Sequence, residues 1–276
     1  MKNNPDINKK FILGLGNQKC GTSWLYSYLQ QFNNFDEGFW KECRIWDAID
    51  IKESKRFKIS PFDLKILKIG SVHYKRFRMQ NSKSYYFDYF NSLYKDKINI
   101  TADITPSYAG LSVERLKKIK SQFELRKIEV KPIILIRDPL KRIKSAVRSN
   151  LDKKNYFEGI KLGETNFINA LKQYYISDHC KQYTCYHNII RNAFDVFDKN
   201  NVYVGIYENM FSENKINELS SYLGVSANHN FAKIYINKTE NEVFETEIDD
   251  KVRKYYSEVY DYCHKVFPST IELWKS

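Results

Sequence analysis

The run Phe11-Ile-Leu-Gly-Leu-Gly-Asn-Gln-Lys-Cys-Gly-Thr-Ser-Trp24 constrains this chain more than any other stretch. Phe11 to Leu15 is apolar and reads as a buried strand. Gly16 to Gly21 forms a short polar loop, and Thr22 to Gln31 has helical spacing. A strand, a tight loop and a helix N-terminus make an anion cradle, because backbone N–H groups and the helix dipole converge on one point. In a nucleoside triphosphate loop the second glycine is followed directly by Lys, which reaches the terminal phosphates. Here Gly16 and Gly21 keep the glycine spacing, but Thr22 takes that Lys position and Lys19 lies inside the loop. The cradle is retained and its cation is displaced.

The remaining periodicities place that cradle in an α/β fold. Lys131 to Ile136 is a second continuous apolar run, suited to a central parallel strand, and Pro139 fits the first turn of a helix reaching about Leu151. Asn99 to Asp103, closed by Thr105-Pro106, and Val202 to Tyr207 read as further strands. Helices are expected over Ser82 to Leu93, Val113 to Phe123, 165–178, 181–198, 212–223 and 248–266, with Gly224 closing the fifth. Residues 36–80 read as loops with short helices. Alternating strands and helices predict a three-layer, P-loop-like α/β fold, with a central parallel sheet flanked by helices. No internal repeat or linker divides the 276 residues, so one domain over 1–276 is expected.

Composition bounds the partners. Forty-five Lys+Arg against 33 Asp+Glu give a net charge of +12, which favours anionic ligands. No DNA- or RNA-binding signature accompanies the basic stretch Lys52 to Arg78, so a nucleic-acid partner is not expected. The five cysteines form no C-x-x-C pair, and His179, Cys180, Cys185 and His187 lack zinc-site spacing, so no metal is expected. Met1 to Lys10 lacks the apolar segment of a signal peptide, and no apolar run approaches the roughly 20 residues of a membrane span. A cytoplasmic location is the expectation. The sequence carries no signal for an oligomeric state.

Several chemistry-bearing residues fall at the C-terminal ends of expected strands, where open α/β sheets bind ligands. Lys19 follows the first strand. Arg137 follows the strand ending at Ile136, with Ser145 about two helical turns further on, so both can face one anion. Tyr207-Glu208 follows the last strand. Two separated anion sites point to a nucleotide with phosphates at both ends. Gln18-Lys19-Cys20-Gly21-Thr22-Ser23-Trp24 resembles the P-K-S-G-T-T-W loop of sulfotransferases that use 3′-phosphoadenosine 5′-phosphosulfate (PAPS). Arg137-Asp138-Pro139, with Arg142 and Ser145, is similar to their R-D-P-x-x-R-x-x-S segment. Lys41-Glu42-Cys43-Arg44-Ile45-Trp46-Asp47 is similar to the E-x-H-F-F-D segment of the heparan-sulfate-type enzymes, with Arg44 in place of His. Thr105-Pro106-Ser107-Tyr108, Tyr207-Glu208 and Asn237-Lys238-Thr239 follow in the order seen in glycan sulfotransferases.

The resemblance implies PAPS as donor, PAP as product and no metal requirement. It implies that Lys19 neutralises the transferring sulfuryl group, that Cys20, Gly21, Thr22 and Ser23 line the 5′-phosphate, and that Trp24 lies near the adenine. Arg137 and Ser145 would hold the 3′-phosphate, Tyr207 and Lys238 would contact the donor, and Glu42 would be the catalytic base. The implied acceptor is a hydroxyl compound, a glycan by motif style, and an anionic one by net charge. Two other readings remain at this stage. A P-loop kinase-like phosphotransferase would need a Lys after Gly21, and a non-catalytic basic glycan-binding module would keep the fold without turnover.

Overall fold

The computed structural model describes residues 8–63, 68–232, 234 and 247–275. Lys238 lies outside them. Five strands are present: β1 (Lys9–Gly14), β2 (Phe35–Asp36), β3 (Ile100–Ile104), β4 (Ile128–Ile136) and β5 (Tyr203–Ile206). They form one sheet in the order β2-β3-β1-β4-β5, and every neighbouring pair is parallel. β1 is therefore central, between β3 and β4. Its register pairs Gly14 with Ile104 on one side and with Ile133 on the other. The loops leaving β1 and β4 sit side by side at the C-terminal edge, where such sheets bind ligands.

Burial on both faces explains why the strands read as unbroken apolar runs. Along β1, Phe11 and Leu13 pack into one core and Ile12 into the other. Along β4, Ile134 and Ile136 join the first core while Ile133 and Leu135 join the second. The β4 run contains Pro132, which cannot donate to a ladder. It is tolerated because the β5 pairing begins only at Ile133–Tyr203, and the Pro132 carbonyl accepts instead from the Tyr222 hydroxyl at 2.8 Å.

The helices are α1 (Thr22–Leu29), α2 (Trp46–Asp50), α3 (Val72–Asn81), α4 (Tyr85–Leu93), α5 (Val113–Glu124), α6 (Pro139–Asp152), α7 (Phe167–Tyr174), α8 (Asp178–Thr184), α9 (Tyr186–Phe194) and α10 (Glu213–Leu223). After the short helix α11 (His229–Ala232) come α12 (Asp249–Tyr255), α13 (Ser257–Val266) and α14 (Thr270–Leu273). α1 and α10 cover the face of Ile12 and Ile133, whereas α4, α5, α6 and α9 contribute to the core of Phe11 and Ile134. Asp138 caps α6 by accepting from the N–H groups of Leu140 and Lys141, with Pro139 in the first turn as the sequence predicts. Gly224 ends α10 at φ +75°.

Three differences from the expected pattern have local causes. The stretch 165–198 forms three helices rather than two, because the Ser177 side chain caps a new start at Asp178 and Cys185 leaves the helical region at ψ 65°. The expected helix over 248–266 is broken at Tyr256. The two-residue edge strand β2 is too short to leave a periodic signature.

Candidate active site

The loop between β1 and α1 takes its shape from two glycines at positive φ. Gly16 (φ +93°) approaches so closely that a Cβ would lie 2.8 Å from the Ala109 side chain. At Gly21 (φ +94°) a Cβ would lie 3.0 Å from Met210 Sδ and 3.2 Å from the Tyr207 ring. Lys19 itself adopts φ 67°, in the left-handed region. Gly21 caps α1 without a side chain, so the first-turn N–H groups of Thr22, Ser23 and Trp24 meet no capping side chain. They are available to an anion.

These groups open onto a cleft of about 540 Å³. Gln18, Lys19, Thr22 and Ser23 form its floor, Glu42 and Arg44 one wall, and Ser145, Ser149 and Asp152 of α6, with Lys153 just after it, the other. Among the described residues, Pro106, just after β3, is the only apolar liner. Lys19 pairs with no carboxylate among the described residues. Burial lowers its pKa from the usual lysine range, and the charges of Lys153 and Arg137 add to that effect. A cation held this way gains most from an incoming anion.

Arg137 stands just behind the loop. Its guanidinium donates to the Lys19 carbonyl at 3.3 Å and lies over the Tyr207 ring at 4.5 Å. Its Nε is buried without a hydrogen-bond partner among the described residues. The Tyr207 ring thus packs between Gly21 and Arg137 as a shelf. Glu208 has a structural place: it accepts from the Asp138 N–H at 3.0 Å and from Trp274 Nε1 at 3.0 Å, and burial raises its pKa.

Of the side chains expected to contact the donor, those of Arg137 and Tyr207 do not line the cleft, and those of Cys20 and Trp24 turn into the interior. The Cys20 thiol is fully buried beneath the loop, beside the Gln18 carbonyl and the Tyr186 hydroxyl, and burial pushes its pKa up to about 12. Its N–H is also engaged, by the Asn17 carbonyl at 3.2 Å. Trp24 falls on the inward side of α1, where it stacks on Tyr28 and meets Phe211 edge-on. It is 2% exposed, with no ring face left for an adenine, and only its main-chain N–H at the helix start faces the anion side. Arg142 is likewise interior: it donates to the Tyr174 hydroxyl and to Cys180 Sγ, at 3.4 and 3.1 Å.

Glu42 sits in the cleft wall, bound by its own neighbours. Its Oε2 accepts from Arg44 Nη2 at 2.6 Å, and Oε1 lies 3.9 Å from the Lys41 ammonium. Lys41 in turn donates to Ser23 Oγ at 2.7 Å, joining the wall to the start of α1. Burial lowers the pKa of Lys41 and the Glu42 charge opposes that shift. Arg44, at φ 59°, also donates to Ser107 Oγ at 3.1 Å and stacks over Phe57 at 4.3 Å.

The sequence reading missed Lys41, Ser149 and Lys153. Ser145, Ser149 and Lys153 recur at intervals of four along α6 and into its C-cap, so their shared face was present as a periodicity. Gln18 also reaches out of the loop to Glu158 at 3.4 Å, and Glu158 lies 3.6 Å from His179 Nε2. Burial pushes the His179 pKa down to about 4, against the pull of Glu158. Three of the four His and Cys residues considered as a metal cluster turn to separate partners: His179 to Glu158, Cys180 to Arg142 and His187 to Glu258. All five cysteines are free thiols. Among the described residues no cluster of three or more His, Cys, Asp or Glu could hold a metal, and no helix is long and apolar enough to cross a membrane.

The sulfotransferase-domain family model matches residues 9–259, which includes the loop, both walls of the cleft and every strand. The chain belongs to the sulfotransferase family. A sulfotransferase from Alicyclobacillus acidocaldarius has a similar crystal structure, with a TM-score of 0.63 at 16% identity over 98% of this chain and 99% of that one. At that identity the likeness speaks for the fold. The sulfotransferase domain of the Synechococcus olefin synthase aligns over 92% of this chain and 90% of its own length, at 15% identity and a TM-score of 0.47. A comparison with curated proteins finds no match.

Proposed function

We propose that this sulfotransferase moves a sulfuryl group from PAPS to a hydroxyl of a carbohydrate by direct in-line displacement. The observation that carries this reading is the single cleft that holds Lys19, the uncapped start of α1 and Glu42 together. The donor suits the residues present. The free N–H groups of α1 and the Ser23 hydroxyl match a 5′-phosphate, and Ser145 and Ser149 in the cleft wall, with the Arg137 guanidinium behind the loop, match a 3′-phosphate. Trp24 would contribute only through its main-chain N–H, Cys20 through neither its thiol nor its N–H, and Tyr207 by supporting Arg137.

The chemistry asks for positioning and charge stabilisation more than for covalent catalysis. The acceptor oxygen attacks sulfur while the bond from sulfur to the bridging oxygen breaks. That electron pair leaves on the 5′-phosphate of PAP, where the Lys19 ammonium neutralises it. The acceptor proton passes to Glu42, which must rotate from Arg44 toward the hydroxyl or exchange one oxygen between them. Apart from Pro106 the described residues that line the cleft are polar, which supports a hydroxyl-rich acceptor over a flat apolar one.

Calorimetry and label transfer test this reading. PAP is expected to bind at least about 100-fold more tightly than ATP·Mg²⁺, a difference of roughly 3 kcal/mol. Transfer of ³⁵S from labelled PAPS to a panel of sugars, phenols and amines should mark the sugars. Equal affinity for PAP and ATP·Mg²⁺ would overturn the donor assignment, and label on phenols or amines alone would overturn the acceptor class.

A further inference from the structure

The segment that carries Glu42 has little backbone pairing of its own, and side chains from distant elements hold it. Arg76 Nη2 of α3 donates to the Glu42 carbonyl at 2.6 Å, and Gln80 Nε2 donates to the Arg44 carbonyl at 2.9 Å. The remaining donors converge on one buried carboxylate, Asp103 in β3, which is completely inaccessible. Asp103 Oδ1 accepts from the Cys43 N–H at 3.4 Å and from Thr105 Oγ1 at 2.7 Å. Oδ2 accepts from the hydroxyls of Tyr86 and Tyr108, at 2.9 and 2.8 Å. The Tyr108 oxygen then accepts from the N–H groups of Ile45 and Trp46, at 3.3 and 3.5 Å.

The polarity of this network depends on the charge of Asp103. A phenol has one proton to donate and lone pairs to accept with. Tyr108 spends its proton on Asp103 and thereby keeps its lone pairs turned to Ile45 and Trp46. We propose that ionised Asp103 is a positioning residue, which holds the Glu42–Trp46 segment against the cleft through Cys43 and Tyr108. The inference rests on Glu42 being the base only for its effect on turnover; the anchoring itself stands on the hydrogen bonds.

Protonation would turn an acceptor into a donor. The new O–H would have to point at Tyr86, Tyr108, Thr105 or the Cys43 N–H, and each already donates to Asp103. At least one bond then breaks, and reversal at Tyr108 competes with Ile45 and Trp46 for its lone pairs. The titratable and charged groups facing Asp103 are Tyr86 of α4, Tyr108, Cys43, Asp47 of α2 and Arg76 of α3. Burial outweighs the bonds it accepts and lifts its pKa to about 6. The anchor is therefore engaged above about pH 6 and released below it.

Amide hydrogen exchange on the full chain reads the segment directly. Protection factors at Cys43, Ile45 and Trp46 are expected to fall about tenfold or more from about pH 7.5 to about pH 5 in the native protein. In Asp103→Asn an N–H donor permanently replaces one of the two accepting oxygens, so protection should be low and independent of pH. PAP release from PAPS with water as acceptor should show an acid limb near pH 6 in the native protein. That limb should vanish in Asp103→Asn, with the rate low throughout and PAP affinity by calorimetry changed less than about twofold. If the amide variant does not fold, Tyr108→Phe keeps the carboxylate and should expose Ile45 and Trp46 while sparing Cys43. Native protection and a retained acid limb in Asp103→Asn, or in Tyr108→Phe native protection at Ile45 and Trp46, would overturn the proposal. Glu42→Gln separates the two ideas: undiminished PAP release would end the base assignment, while the exchange result would still decide the anchor.

Discussion

The two walls of the transfer site are built by opposite means. The donor side is made of backbone: a strand, two glycines at positive φ and the bare start of α1. Its parts are adjacent in the chain and its donors are peptide N–H groups, which do not titrate. The Glu42 side is a non-repetitive segment whose backbone groups are held by Arg76, Gln80, Asp103 and Tyr108, from three other parts of the chain. Its support is side-chain chemistry, one member of which changes charge near pH 6. The donor side should therefore tolerate acid, and the Glu42 side should be where acid acts first.

The largest test of that contrast is Lys19→Ala. Removing the cation that faces the leaving oxygen should lower turnover by about 10²- to 10³-fold, with circular dichroism and melting temperature unchanged. Burial and the neighbouring charges of Lys153 and Arg137 lower the Lys19 pKa, so its charge is lost before that of an ordinary lysine as pH rises. Activity of the free enzyme should accordingly decline on the alkaline side, while the Asp103 anchor governs the acid side. Near-native activity in Lys19→Ala would remove the lysine from the mechanism.

Arg137→Ala comes next. Loss of a charge-assisted contact of about 1.5–3 kcal/mol should weaken PAP binding roughly 10- to 150-fold, read by calorimetry. It should act alike at acid and neutral pH, because an arginine does not titrate there. A comparable loss of PAP affinity in Asp103→Asn would erase the distinction between the two walls.

The smallest expected effect is on stability. The fold raises Asp103 from 3.8 to about 6, so the folded state prefers the neutral acid. Stability from this group is full below pH 3.8 and is lost as pH rises through about 6, at a cost of roughly 3 kcal/mol when ionised. Asp103→Asn should therefore melt no lower than the native protein at neutral pH, and up to a few degrees higher. It should lose that advantage in acid. A variant both less stable and less active at neutral pH would mean that Asp103 serves the fold rather than the site.

Legibility followed the same division. The cradle, Arg137 and the α6 face could be read because each follows an apolar strand or repeats at a helical interval. The inward turn of Trp24 could not, because a helix start has two sides and only packing against Tyr28 and Phe211 selects one. Cys20 was similar: its side chain points down because the loop is turned by Lys19 and Gly21, both at positive φ. Arg142 has the spacing of a site residue in the sequence, but α6 turns it to Tyr174 and Cys180.

By itself the sequence determined the parallel α/β sheet, the anion cradle with its displaced lysine, and the cation after β4. These depend on neighbours in the chain and on local backbone preference. Only the tertiary structure decided that Glu42 shares a cleft with Lys19, that Lys41 ties Glu42 to Ser23, and that Asp103 stands behind them. Asp103 is 60 residues from Cys43 and 17 from Tyr86. No local pattern records such contacts, because they form only when the Glu42 segment and α4 pack against β3.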